Sequence, residues 1–172
     1  KQEININFKK IKKGVYGFEG EFNKSDKTIV IDPVPVRLWG TFYGGLDSSY
    51  NSFKGDLESD NNGNLILVGA TSSNSTTFAS SGTHQGTTNP GSLDGYIAKF
   101  NSNGNRVWGT FYGGNEIDII HGVKTDSQNN IFVTGETNSS TNISTQGTFK
   151  QNLSGFKDAF VSKFNTNGIL IW

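Results

Sequence analysis

The chain of 172 residues has no cysteine, no methionine, two histidines and three prolines. Lack of cysteine removes disulfides, thiol nucleophiles and thiolate-bound zinc or iron–sulfur centres. Arg37 and Arg106 are the only arginines, so a substrate-carboxylate clamp of three arginines is excluded. Lys+Arg and Asp+Glu each total 15, leaving no net charge. That balance argues against a nucleic-acid binder working through a cationic surface. No apolar run approaches the ~20 residues of a helical membrane span. Glycine is abundant instead. Counting the 22 glycines with the apolar residues brings the 33% hydrophobic content into the range of a globular domain.

Self-comparison organises the chain. WGTFYGG stands at 39–45 and again at 108–114, and Trp172 marks the same place once more. Between these marks the order repeats: DNNGN at 60–64 against DSQNN at 126–130, then LILVGATSS against IFVTGETNS. LDGYIAKFNSNG at 93–104 matches KDAFVSKFNTNG at 157–168. Each copy carries four strand candidates. They are 52–59, 64–71, 95–101 and 106–112 in the first copy, and 118–125, 130–137, 159–165 and 169–172 in the second. The segment 37–43 anticipates the fourth strand. Asn-Gly at 62–63, 103–104 and 167–168 marks tight turns, and in the second copy of the first of these Asn129 stands where Gly63 does. No segment shows helical periodicity. Four short strands per copy predict an all-β chain of four-stranded propeller blades.

The expected divisions are 1–35, the end of an N-terminal β-rich domain, then propeller repeats at 36–105 and 106–172. A propeller closes with about four to eight blades, so two make an incomplete one. The chain reads as cut from a longer protein, with further blades, or identical chains completing a ring, as its partners. In the first copy Lys54, Asp56 and Glu58 alternate with Phe53, Gly55 and Leu57, predicting one charged strand face against a wet neighbour, the N-terminal domain being one choice.

No catalytic, metal or cofactor constellation emerges. Asp60 and Asp126 invite a calcium reading, but their loops are too short or too broken for alternate-position ligands. Side-chain-capped turns account for them better. Asp94 and Asp158 read as backbone acceptors at strand entries, with Lys99 and Lys163 as charge partners on the same sheet. His84 aligns with Phe149 and His121 with Gly55, and neither accompanies a nucleophile motif. Lys9, Lys10, Lys12 and Lys13 read as charge on an edge strand, which discourages aggregation. Trp39, Tyr43, Trp108, Tyr112 and Trp172 read as packing between blades, with Gly44, Gly45, Gly113 and Gly114 turning the chain. Tyr50 and Phe78 are the candidate ligand-contact aromatics of an alternative glycan-binding reading.

WGTFYGG, the D-x-x-G-N turn, the G-x-T-x-S after the second strand (Gly69 and Gly135 lead its two copies) and the D-x-[YF]-[IV]-x-K-F strand together resemble the bacterial β-propeller repeats called SBBP. The resemblance covers 36–172. The stretch 28–36, with its Asp32-Pro33 junction, is similar to the end of the β-rich domain that commonly precedes such repeats. It implies a secreted or surface-exposed bacterial protein, frequent where export uses a type 9 system, without general catalytic activity. The leading expectation is therefore a non-enzymatic extracellular scaffold or interaction module. The alternatives are a glycan-binding adhesin and, more remotely, part of a propeller-based hydrolase.

Overall fold

The computed structural model describes residues 6–13, 15–20, 37–44, 51–73, 78–88 and 92–172. Two compact units divide at residues 36 and 37. The first contains an antiparallel hairpin of β1 (Ile6–Lys12) and β2 (Val15–Gly20). Its lysines 9, 10, 12 and 13 are exposed, as charge on so small a sheet must be. The Asp32-Pro33 junction, Gly45 and Tyr50 lie outside the described residues.

The second unit holds two antiparallel sheets, ordered β3-β4-β5-β6 and β7-β8-β9. In the first, β3 (Asn51–Ser59), β4 (Leu65–Thr71), β5 (Asp94–Phe100) and β6 (Arg106–Tyr112) follow one another as a meander. The second repeats it with β7 (Asp118–Thr125), β8 (Ile131–Thr137) and β9 (Asp158–Phe164). No helix occurs among the described residues. The chain is all-β, and its sheets are propeller blades, the second incomplete.

Asparagine and aspartate chemistry fixes the turns. Asp60 Oδ1 accepts from the amides of Asn62 and Asn64, both at 2.9 Å. Asp126, Asn101 and Asn165 do the same for the amides two and four residues on. Asn129 adopts φ 63°, where the first copy has Gly63 at φ 76°, because asparagine tolerates the left-handed region.

Two features of the sequence reading are corrected here. A boundary at 105/106 cuts the first sheet, because β6 pairs with β5 from Lys99↔Trp108 to Gly95↔Tyr112. Sequence repeat and blade are thus one strand out of phase. The segment 37–43 belongs to no strand, and 169–172 joins β9 only at the Phe164↔Leu170 bridge and through Lys163.

The core lies between the blades. Ile66, Val68, Ile97 and Trp108 of the first blade pack with Ile120, Val123, Ile131, Val133 and Phe164 of the second. Period-2 alternation puts Ile66 and Val68 on the face toward blade two, and each buried aliphatic contributes about 1.5–3 kcal/mol.

Candidate functional site

The junction between the blades is where the repeated residues converge. Trp108 Nε1 donates to Thr166 O at 3.0 Å, its ring lying over Gly168. Trp39 does the same one blade earlier, donating to Ser102 O at 3.0 Å with its ring over Gly104. Tyr112 Oη reaches Ile143 O at 2.6 Å and Ser162 at 2.5 Å, while Tyr43 Oη donates to Phe78 O at 2.9 Å. Burial pushes both phenols up to about 12, so they stay neutral donors. Tyr43 meets Phe100, and Tyr112 meets Phe164, edge-on at 5.5 Å. Trp108 and Tyr112 thus lie between the two blades, while Trp39 and Tyr43 make the matching contacts on blade one.

Polar contacts complete the junction. The Asp60 carboxylate pairs with buried Lys99 at 2.9 Å, and Lys99 also donates to Thr166 Oγ1 across the junction. Asp94 and Asp158 are not the partners of Lys99 and Lys163. A strand rises about 3.3 Å per residue, so Asp94 sits roughly 16 Å from Lys99 at the far end of β5. Lys163 turns to Asp126 instead, at 3.8 Å. Asp158 accepts from the Ser154 amide at 2.8 Å, as a strand-entry acceptor should, and from Lys150 at 2.6 Å.

The charged face of β3 finds its neighbour in blade two. Asp56 Oδ2 accepts from the Val123 amide at 3.2 Å, and Glu58 pairs with Lys124. Asn61 adds two bonds to Asn129 Oδ1, at 2.9 and 3.0 Å.

Phe78 is corrected. It is 2% exposed, held edge-on to Tyr43 and tilted against Tyr96 and Phe111. This apolar ring of the loop folds into a separate aromatic cluster on blade one, where three aromatic neighbours remove it from water. It is no ligand platform. His84 packs between Tyr112 and Phe164, and burial lowers its basicity. His121 is the bulge residue of β7, facing Glu136 at 3.8 Å.

One site escaped the sequence comparison. Asp118, fully buried, accepts from the Gly114 amide at 2.7 Å and Ser139 Oγ at 2.8 Å. It latches the end of WGTFYGG to the G-x-T-x-S turn, whose Thr137 hydroxyl accepts from the Ser139 amide as Thr71 does from Ser73. The first copy carries Ser52 at this position, so repeat matching gave no signal for it. Asp94 lies nearby, both carboxylates bordering Gly113.

Desolvation raises the Asp118 pKa above the ordinary carboxyl value, its three hydrogen bonds and the Glu116 charge being lesser influences. A raised folded value means that the folded state holds the proton longer than the unfolded state. The group's contribution is greatest below about pH 4 and falls as pH rises through the raised value. Asp118→Asn keeps an acceptor oxygen and removes the titration. Urea midpoints should therefore fall more steeply with rising pH in the native chain than in Asp118→Asn, and parallel profiles would refute the assignment.

On its other face blade two is open. A cavity of about 530 Å³ lies between the 139–153 loop and β9, reaching Trp172. Val161 is 59% exposed and Phe149 fully exposed, whereas their first-copy counterparts are Ile97 at 0% and His84, packed in the junction.

These features have relatives. Residues 107–143 match the family model for the β-propeller repeat SBBP. Over 150 residues the chain is 27% identical to an uncharacterized WD repeat-containing protein, L264, of Acanthamoeba polyphaga mimivirus. The match covers 84% of this chain and 9% of that relative, so the chain spans under a tenth of it. Residues 107–143 run from β6, the last strand of blade one, through β7 and β8 of blade two into the following loop. No helix among the described residues is long and apolar enough to cross a membrane.

Proposed function

We propose that this chain is a non-enzymatic propeller scaffold, displayed outside a bacterial cell, that engages its partners through the loops between the second and third strands of its blades. One observation carries the reading. The residues that both copies share are spent on turns and on the blade junction, while the copies diverge in the loops. The 138–156 loop presents Phe149 and Phe156 to solvent amid serine, threonine and asparagine. Rigid strands presenting variable loops are the usual arrangement of a binding module. The β-propeller match and the WD-repeat relative support a protein-interaction role.

The reading is tested on the source organism and on the purified chain. An antibody to the chain should label intact cells. The chain should bind cell-surface material in a manner lost with Phe156→Ala, and should leave glycosidase, esterase and peptidase substrates unturned. Labelling that requires cell lysis, or turnover of any substrate class, contradicts it. Binding confined to a glycan array would favour the adhesin alternative.

A further inference from the structure

Blade one reaches across the junction through the loop that joins β4 to β5. Two bonds tie this 78–85 loop to its own blade. The Ser80 amide donates to Gly109 O at 2.8 Å and the Phe111 amide to Gln85 O at 3.0 Å. A third bond leaves the blade. The His84 amide donates at 3.0 Å to Gly168 O, in the turn that follows β9. That turn is firmly placed. The Trp108 ring lies over Gly168 and its Nε1 donates to Thr166 O, while the Gly168 amide bonds Asn165 O at 3.1 Å.

The His84 ring carries the same tie into the core. Its centroid stands 5.8 Å from that of Tyr112 and 5.7 Å from that of Phe164, and both of those residues are 0% exposed. The second copy has Phe149 at the matching place, so the repeat accommodates a purely apolar ring there. An imidazole is equivalent to one only while it is neutral.

The charged groups around this ring are engaged elsewhere. Residues 78–88 contain no other titratable side chain. On β6, Tyr112 is a phenol pushed up to about 12, and Arg106 donates to Phe78 O. On β9, Asp158 binds Lys150, and Lys163, which alternates with Phe164, turns to Asp126. In the turn after β9, Thr166 holds Lys99, itself paired with Asp60. Asp118, whose charge acts on the Tyr112 phenol, is bonded to Gly114 and Ser139. A proton on His84 would therefore sit between two aromatic rings without a carboxylate of its own.

We propose that His84 is an acid-released latch between the blades: neutral, it seats the blade-one loop on blade two, and protonated, it leaves the Tyr112–Phe164 slot and frees that loop. Burial holds the imidazole below its ordinary value of 6.5, so the unfolded chain takes up the proton first. The contribution of the seated ring is present above about pH 6.5 and is lost as pH falls through the lowered value. The inference rests on contacts made within the junction and goes beyond the scaffold reading, which stands whether or not the latch opens.

Nuclear magnetic resonance on the full chain tests it, with His84→Phe, the residue of the second copy, assigning the ring signal. The His84 ring should titrate below 6.5. Protection of the His84 amide should fall several-fold from about pH 7 to about pH 5, while that of the Phe111 amide holds. Over the same interval the urea midpoint of the native chain should fall relative to that of His84→Phe. The contributions of Asp60 and Asp118 are common to both chains and cancel in that difference. A ring that titrates at or above 6.5 overturns the proposal, since the two aromatic faces would then be holding the imidazolium. Amide protection that stays constant while the ring titrates also overturns it, and so do parallel midpoint profiles. The first two readings use the native chain and stand even where the variant fails to fold.

Discussion

Gly109→Ala destabilises the chain by about 3 kcal/mol or more, while Gly40→Ala leaves its stability within about 0.5 kcal/mol. Both glycines occupy the second place of WGTFYGG, so sequence gives no reason to separate them. Their surroundings do. A Cβ on Gly109 would stand 2.0 Å from Phe78 O and 2.7 Å from Tyr43 Oη. The Phe78 carbonyl cannot retreat easily, since it accepts from Tyr43 Oη at 2.9 Å and from Arg106 at 3.1 Å. Relief requires parting β6 from the 78–85 loop and opening the Tyr43–Phe78–Tyr96 aromatic cluster. Overpacking commonly costs about 1–3 kcal/mol, and a clash with fixed backbone lies at or above the top of that range. A domain stable by roughly 5–15 kcal/mol loses much of its margin. Urea denaturation of the two variants side by side measures the difference, and equal midpoints would contradict the close approach.

Lys99→Met costs about 3–5 kcal/mol, and Lys163→Met at most about 1 kcal/mol. The two lysines hold equivalent places on β5 and β9. Lys99 and Asp60 are 7% and 1% exposed as side chains, against 23% and 27% for Lys163 and Asp126. Removing the ammonium from the first pair strands a carboxylate in the junction and loses the bond to Thr166. The second pair is wet and long, at 3.8 Å. Burial alone would raise the Asp60 pKa. Donors from Asn64, Lys99 and the turn amides outweigh it and hold the carboxyl below its ordinary value. A lowered folded value stabilises above the unfolded pKa, near 4, and the contribution is lost as pH falls through the lowered value. The gap between native chain and Lys99→Met should thus narrow on acidification, the opposite trend to that of Asp118. A gap independent of pH would remove Asp60 from the explanation.

Much of this architecture is written in local chemistry. Each turn announces itself, because Asp60, Asp126, Asn101 and Asn165 cap their own backbones within four residues. The strands follow from alternation and from duplication, and the interblade duty of Trp108 and Tyr112 follows from their recurrence. What depended on the third dimension was less visible. Repeat comparison grouped 106–112 with the three strands before it, as β6 is found, but the division at 105/106, set on the recurrence of the Trp motif, cut across that sheet. Pairing Lys99 with Asp94 looked reasonable along the chain, yet an extended strand carries those residues apart and brings Asp60 close through a turn. Phe78 lies in a polar loop, and only its three aromatic neighbours reveal it as core. Asp118 was invisible because its counterpart is Ser52.

The central claim is that two blades share one junction and hold together as a single cooperative body. Native-state hydrogen exchange across a denaturant series tests it most directly. The slowest amides of Val68 and Ile97 in one sheet, and of Val123, Ile131 and Val133 in the other, should converge on one opening free energy with one denaturant dependence. If β7–β9 exchanged freely while β3–β6 remained protected, or the reverse, the junction would be a contact between independent sheets and the account would fail.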